Sequence, residues 1–405
     1  MTNTHPLTVM LFSSAFKGEE LIRSIKAQGC RVLFMTEDKL RDEPWPYESI
    51  DETFYTPDLR RYQDVINTVT YLARERQIDH VLPIDEFEVE LAATLREHMR
   101  LPGPRLSAVR NFRDKLVMRE LASEAKIAVP PFTKILTYDA LREYMRSVEP
   151  PWVLKPRKEA SAMGIRKVTE EEQVWRSLDE LGDRQSYYLL EKFIPGEVFH
   201  VDSLVVNSQI VYSSVQKYYK PPMTIYQGGG VFATSIQDEG SSDTRTLDKL
   251  NKQVIATLGM DNGVTHGEFI KGEDGTFYFL EMAGRAGGAF ISDFLEHAHG
   301  INLWREWGNL EVAQLRGEKY KAPKTTKGYG GLIVTLARQP HPDLSAYNDP
   351  EVVWRADKPY HAGVIFVTKD YKRSQELLSD YALRFTQDFL AVANPMDATR
   401  TGYSG

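Results

Sequence analysis

Val264-Thr265-His266-Gly267-Glu268-Phe269 and Phe277-Tyr278-Phe279-Leu280-Glu281-Met282-Ala283-Gly284-Arg285 are two short apolar runs, each carrying a carboxylate, with Asp274-Gly275 between them. The spacing of 281 − 268 = 13 around an Asp-Gly turn predicts a hairpin with Glu268 and Glu281 on one face of paired strands. Two hard oxygen ligands flanked by apolar residues are what Mg²⁺ carrying nucleotide phosphates requires. Arg285, followed by Gly287-Gly288, is placed to stabilise negative charge on a transferring phosphoryl group or an acyl phosphate. Singly, each residue serves equally well as half of a structural ion pair, so the residues upstream decide.

Upstream, Arg113-Asp114-Lys115 stands at a helix start, and Val153-Leu154-Lys155-Pro156-Arg157 reads as a strand leading into Glu159-Ala160-Ser161-Ala162-Met163-Gly164-Ile165. Lys155 alone reads as a solvated strand lysine. Beside a loop of small residues it can set an ammonium against a triphosphate while backbone N–H groups hold the outer oxygens. Leu189-Leu190-Glu191-Lys192-Phe193-Ile194-Pro195-Gly196-Glu197 is an apolar strand running into an extended linker. It can present backbone groups to an adenine edge, with Phe193 and Ile194 covering the ring and Glu197 near the ribose; an edge strand with a Pro-Gly turn is the plainer alternative. Residues 218–232, with Pro221-Pro222 and Gly228-Gly229-Gly230, suit either a closing acceptor loop or a surface turn. His266 is a candidate for orienting a carboxylate or acting as a base, against a satisfied structural histidine.

The 405 residues make about two to three domains at roughly 150 each. With 42% hydrophobic and 26% charged residues, and with 27 Gly and 21 Pro in no repeating tract, the chain reads as globular rather than collagenous or low-complexity. Lys+Arg 50 against Asp+Glu 57 leaves −7, which argues against a nucleic-acid binder but allows a local basic pocket for a phosphate compound. Cys30 is the single cysteine, so no disulfide framework or Cys-rich metal site is expected. No basic leader precedes an apolar core, and no apolar run approaches the roughly 18 residues that span a bilayer, so a cytoplasmic protein without a membrane partner is expected.

Residues 7–12, 19–28 and 31–35 alternate strand, helix and strand, and the pattern repeats through an amphipathic stretch with Val65, Val69 and Leu72, a strand at 80–84 and a helix at 86–98. The loop Ser13-Ser14-Ala15-Phe16-Lys17-Gly18 lacks both the spaced glycines of a dinucleotide fingerprint and a phosphate-loop lysine, so no nucleotide is assigned there. Leu101-Pro102-Gly103-Pro104 is a stop. A helix around Phe112 to Ala125 follows, then strand-like runs of antiparallel character to 281, a Lys/Pro/Thr-rich segment at 321–327, and a last unit with strands near 331–337 and 362–367 and a helix at 374–389. Trp304, Trp307 and Trp354 are assigned to core before pocket.

In this order the elements resemble the ATP-grasp superfamily, in its carboxylate-amine ligase branch. The resemblance covers most of the chain, beginning with Pro83-Ile84-Asp85-Glu86-Phe87-Glu88-Val89-Glu90-Leu91-Ala92-Ala93, which looks like the end of the family's N-terminal domain. It implies a Rossmann-like α/β domain at 1–104, an ATP-grasp domain at 105–320 with a lid subdomain at about 126–192, and a small C-terminal α+β closing domain at 321–405. It places the phosphate lysines at Lys115 and Lys155, the mobile loop at Ser161, Ala162, Met163 and Gly164, and the adenine site at Glu191, Lys192, Phe193, Ile194 and Leu280. Glu197 or, by a shift, His200 or Asp202 would serve the ribose. Mg²⁺ falls to Glu268 and Glu281, and the catalytic set to Arg285, Lys155 and His266. Ala283 stands where the family commonly has Asn, which puts a second Mg²⁺ in question.

The implied reaction is ATP-dependent: a substrate carboxylate takes the γ-phosphoryl group, ADP leaves, and an amine, expected on an amino acid or peptide-like substrate, displaces phosphate from the acyl phosphate. The rivals are a carboxylase or thioester-forming ligase of the same superfamily and, with Ala283 in its favour, a weakly catalytic ATP-binding sensor. The resemblance also allows a homodimer, with the C-terminal unit completing the site or forming the contact.

Overall fold

The computed structural model describes residues 5–160 and 163–391. Four strands, β1 (Thr8–Ser13), β2 (Arg31–Glu37), β3 (Glu52–Thr56) and β4 (His80–Pro83), pair in parallel in the order β3-β2-β1-β4. β1 is buried along its whole length, as befits a strand covered by helices on both sides of a parallel sheet. The alternation expected of the first hundred residues is present; β3, a short polar edge strand with every residue half-buried, was not anticipated.

A second sheet holds β5 (Phe132–Lys134), β6 (Trp152–Pro156), β7 (Arg166–Val168) and β8 (Tyr188–Lys192) in the antiparallel order β5-β8-β6-β7. Helices Tyr138–Ser147 and Glu171–Leu181 bury Leu141, Val174 and Leu178 against Trp152, Leu154 and Leu190, so this small unit has a core of its own.

The third sheet is antiparallel and has eight strands. They are β9 (Gly196–Val206), β10 (Gln209–Tyr218), β11 (Phe232–Ile236), β12 (Gly263–Gly272), β13 (Phe277–Ala283), β14 (Tyr329–Leu336), β15 (Val352–Arg355) and β16 (His361–Thr368), ordered β13-β12-β9-β10-β11-β14-β16-β15. Residues 321–327 carry no regular element, as their composition suggests. Yet β14 pairs with β11 directly beyond them, so the last unit continues the central sheet instead of forming a separate one.

The N-terminal layer is fixed to this body by a shared core, in which Leu21 and Ile25 of helix Glu19–Ala27 lie with Trp304, Trp307 and Leu310 of helix Leu303–Arg316. Trp304 and Trp307 stack at 6.1 Å within that core, and Trp354 packs on Phe290. The cleft between the second sheet and the central sheet is where most of the chemistry-bearing residues meet.

Candidate active site

The predicted hairpin forms as drawn from the sequence. β12 and β13 are antiparallel with Glu268 directly opposite Glu281, and the ladder slips by a bulge immediately after, between Glu268 and Phe269. Bulges re-aim side chains and recur beside active sites. The turn is closed by Gly275, whose amide donates to the Gly272 carbonyl at 2.9 Å, with φ at +81°.

Both carboxylates line a cleft of about 1070 Å³, counted to its open mouth, together with Lys115, Lys155, Glu191 and Leu280. Lys192, Phe193, Ile194 and Met163 lie on the same wall. Gly164, in the same loop as Met163, adopts φ +69°. Ser161 and Ala162 lie outside the described residues.

Lys115 is the first residue of helix Lys115–Glu124, whose start is fixed because Asp114 accepts from the Leu116 amide at 3.0 Å. Its ammonium donates to the Glu159 carbonyl and sits 2.9 Å from Glu281 Oε2, so it joins the segment after β6 to β13. Lys155, in the middle of β6, is 2.7 Å from Glu191 Oε1. The other oxygen of Glu191 accepts from Arg119, which is wholly buried and also donates to the Leu280 carbonyl. Burial pushes the Glu191 carboxyl up, but Arg119 and Lys155 outweigh it and hold it below its usual range. Burial brings Lys155 down, against the pull of Glu191.

The Glu191 carboxylate, which lines the cleft, is therefore committed to Lys155 and Arg119. Arg119 was missed by the sequence reading: a lone arginine in an amphipathic helix carries no sign that its end of the helix will be covered by β8 and β13.

Glu268 accepts from the Tyr218 hydroxyl at 2.8 Å, and His266 Nε2 lies 3.6 Å from the same oxygen. Behind them runs a buried relay. His266 Nδ1 meets Asp202 Oδ1 at 2.8 Å, Asp202 Oδ2 meets His200 Nδ1 at 2.7 Å and Gln216 at 3.0 Å, and His200 Nε2 meets Thr234 Oγ1 at 2.8 Å.

His200, Asp202 and His266 offer ligand atoms within 4.8 Å of one another, the spacing of a metal trio. However, both Asp202 oxygens and both His200 nitrogens are already committed to hydrogen bonds, so the group is a hydrogen-bonded support for Glu268. Burial opposes the imidazolium of His266, but Asp202, with Glu268 beyond it, raises its pKa to about 10.

His200 and Asp202, held in reserve for the ribose, are fully buried and do not reach the cleft. Glu197 is half exposed and paired with Lys217, away from the lining residues. Strand alternation turns Glu197 to the opposite face of β9, whereas His200, opposite Glu268 in the ladder and on its face, is covered by Tyr218 and Thr234, and Asp202 by Gln216 and the two histidines.

Arg285, just after β13, reaches the segment that follows β4. Its Nε lies 2.9 Å from Asp85 Oδ1 and 3.1 Å from Glu86 Oε1, and its Nη1 donates to the Ala286 carbonyl at 2.8 Å. Arg113 takes the second oxygen of Glu86 at 3.3 Å, and Lys17 pairs with Asp85. Burial would raise Glu86, yet the guanidinium groups of Arg285 and Arg113 bring it down to about 2. The guanidinium of Arg285 is thus oriented by the segment after β4.

The donor set fits Mg²⁺: two carboxylates from facing strands, at a cleft that also presents two lysines. Ala283, opposite His266 in the ladder, supplies no side-chain oxygen.

A family model described as ATP-grasp domain matches residues 120–288. The chain is 23% identical over 321 residues to an L-arginine-specific L-amino acid ligase of Bacillus subtilis, covering 74% of this chain and 77% of that protein. The crystal structure of an L-amino acid ligase from Bacillus licheniformis superposes with a TM-score of 0.77 at 17% identity, over 97% of this chain and 100% of that one. An N5-carboxyaminoimidazole synthetase from Staphylococcus aureus complexed with ADP gives 0.70 at 16% identity, over 94% and 98% of the two chains. Among the described residues no helix is long and apolar enough to cross a membrane. Lys155, the hinge and the hairpin fall in that order inside the matched segment, so residues 120–288 form an ATP-grasp domain, and the chain around it is similar over most of its length to an L-amino acid ligase.

Proposed function

We propose that this ATP-dependent ligase joins the carboxylate of one amino acid or peptide-like molecule to the amine of another. The observation that carries the reading is the direct opposition of Glu268 and Glu281 across one ladder, with Lys115 on Glu281 and Lys155 on the same cleft. A carboxylate is a poor acyl donor until its oxygen becomes a good leaving group, and the γ-phosphoryl group of ATP provides that.

In this reading Lys115 and Lys155 hold the phosphates, with Met163 and Gly164 against the outer oxygens. The Lys192 and Phe193 amides already donate to the Pro131 and Pro151 carbonyls, so the hinge amide offered to the adenine edge is that of Ile194, with Phe193 and Leu280 against the ring. Glu268 and Glu281 hold Mg²⁺, which when bound neutralises phosphate charge; a second ion needs water or substrate in place of a side chain at Ala283. Arg285, preset by Asp85 and Glu86, holds the acyl-phosphate oxygens while the amine attacks the acyl carbon and phosphate departs. His266 keeps Glu268 in place. Residues 222–228, expected as a loop or turn, form the short helix Pro222–Gly228, and its start at Pro221, Pro222 and Met223 lines the cleft as the acceptor-side wall.

ATP and Mg²⁺ availability places the protein in the cytoplasm, and a homodimer is compatible with it. The relatives suggest starting a carboxylate-by-amine matrix with L-arginine and L-alanine, scored for phosphate release and for condensed products by mass spectrometry. ADP formation that depends on both partners supports the reading; AMP and pyrophosphate, or ATP cleavage indifferent to the amine, sinks it. Glu281→Gln should abolish turnover in a protein that still folds.

A further inference from the structure

A second cavity, of about 200 Å³ counted to its open mouth, lies at the C-terminal end of the parallel sheet, lined by Ser14 after β1, Glu37 at the end of β2, Leu59, Arg60, Tyr62, Phe87 and Glu88. Most of that volume is its mouth, and the enclosed part beside Glu88 admits about one non-hydrogen atom, the size of a water molecule or an ammonium nitrogen. Glu88 is 1% exposed. Its Oε1 accepts from the Ser14 amide at 3.2 Å and from the Ser14 hydroxyl, while its Oε2 is buried with no hydrogen-bond partner. An orphaned buried carboxyl oxygen beside a cavity is costly unless a ligand completes it.

The surroundings are otherwise committed: Arg60 forks Asp58 at 2.7 Å, Glu37 pairs with Lys39 and accepts from the Leu59 amide, and Asp85 is held by Lys17 and Arg285. The sheet order puts β2 two strand spacings, about 10 Å, from β4 and the Arg285 anchor that follows it.

We propose that this cavity receives a cationic group, such as a primary ammonium, on the part of the substrate remote from the reacting atoms, and that Glu88 selects for it. This rests on the ligase reading, since it is the substrate anchored near Arg285 that extends toward β2. Burial, reinforced by Asp85, raises the Glu88 pKa to about 8, with Ser14 and Lys17 opposing. Capture of a cation then ionises Glu88 and releases a proton, and affinity rises as pH approaches 8. A lysine ε-ammonium keeps its charge over that range.

The test uses the full chain with Mg²⁺ and a non-hydrolysable ATP analogue, titrated calorimetrically with L-lysine, L-ornithine and the uncharged L-norleucine in buffers of different ionisation heat at pH 7. The expected result is binding of at least one cation roughly tenfold tighter than norleucine with net proton release, and loss of both in Glu88→Gln. Glutamine keeps an acceptor for Ser14, and an unchanged melting curve verifies that the variant is folded. Equal binding of norleucine, no binding of any of the three, or a cation preference that survives in Glu88→Gln overturns the proposal. Failure of the ligase reading shows separately, as absence of phosphate release for every amino-acid pair in the coupled assay.

Discussion

Replacing Glu191 with alanine removes the anion between two buried cations. Glu191 is 4% exposed, Lys155 6% and Arg119 0%, and the ion pairs measure 2.7 and 2.9 Å. Breaking a buried pair by deleting one partner typically costs about 3–5 kcal/mol, because the remaining charge stays buried without compensation. Here two cations are left, with only the Leu280 carbonyl on Arg119, so the upper half of that range is expected. Glutamine keeps the shape and one of the two acceptors, setting its NH₂ against the other cation, and should lose about 1–3 kcal/mol.

The loss should be local, since β8 carries Glu191 and β6 carries Lys155 in one small sheet. Hydrogen exchange read by mass spectrometry on peptides spanning β6 and β8 is therefore the assay, with urea unfolding as the global measure. Saturating ATP with Mg²⁺ brings phosphates to Lys155 and should narrow the gap between variant and wild type. The pH dependence follows from the sign of the shift. Glu191 is held below its usual range, so its contribution is present at neutral pH and is lost as pH falls through its native pKa; the alanine variant lacks that acid limb. Unchanged protection in β6 and β8, or a gap that ATP leaves untouched, would refute the assignment of this triad to the phosphate site.

Three further outcomes are expected. Arg285→Lys cannot reproduce the fork onto Asp85 and Glu86, and should lower kcat by roughly 10²–10³ with little change in the KM for ATP, measured as steady-state phosphate release. Gly196→Ala places a Cβ 2.0 Å from the Lys271 carbonyl oxygen in the β9–β12 ladder, so it should cost a few kcal/mol, on the order of the larger single-site losses, in urea unfolding. Glu88, raised to about 8, binds a proton in the folded state that the unfolded chain has lost, so wild type should lose stability as pH rises from about 4.5 to about 8, by up to roughly 1.4 kcal/mol per pH unit; Glu88→Gln should flatten that slope.

Those residues differ in how far the sequence exposed them. The Glu268–Glu281 hairpin was legible because a two-residue turn signal and strand alternation are local rules, and Lys115 because Asp114 caps the helix it starts. Helix Ser242–Leu258 was equally legible and was passed over: Ser241 accepts from the Thr244 amide at 3.1 Å, and Gly259 ends the helix with φ +80°. The role of Asp85 and Glu86 was not legible. An acidic stretch at a helix start looks solvated until Arg285, distant in sequence, is folded onto it. His200 was misjudged for the same kind of reason: it shares a face with Glu268 in the ladder, but Tyr218 and Thr234, from other strands, cover it.

The mild acidity of the chain acquires a local meaning at the cleft. Lys115, Lys155 and Arg285, proposed to face phosphate, are each matched by a carboxylate within 3 Å: Glu281, Glu191 and Asp85. The cations are thereby held in place before any anion arrives, which reduces the ordering entropy that phosphate binding must overcome. The same pairing removes the excess positive charge that would attract a bare triphosphate. Glu281 cannot partner Lys115 and hold Mg²⁺ with the same oxygen, so metal arrival with the nucleotide would release Lys115 toward the phosphates at the moment they need it. Nucleotide binding should consequently be strongly Mg²⁺-dependent in wild type and much less so in Glu281→Gln, where Lys115 is no longer held by a charge. Equilibrium dialysis with labelled ATP, with and without Mg²⁺, measures both cases; an equally large Mg²⁺ effect in Glu281→Gln would show that the lysine is not exchanged between carboxylate and phosphate.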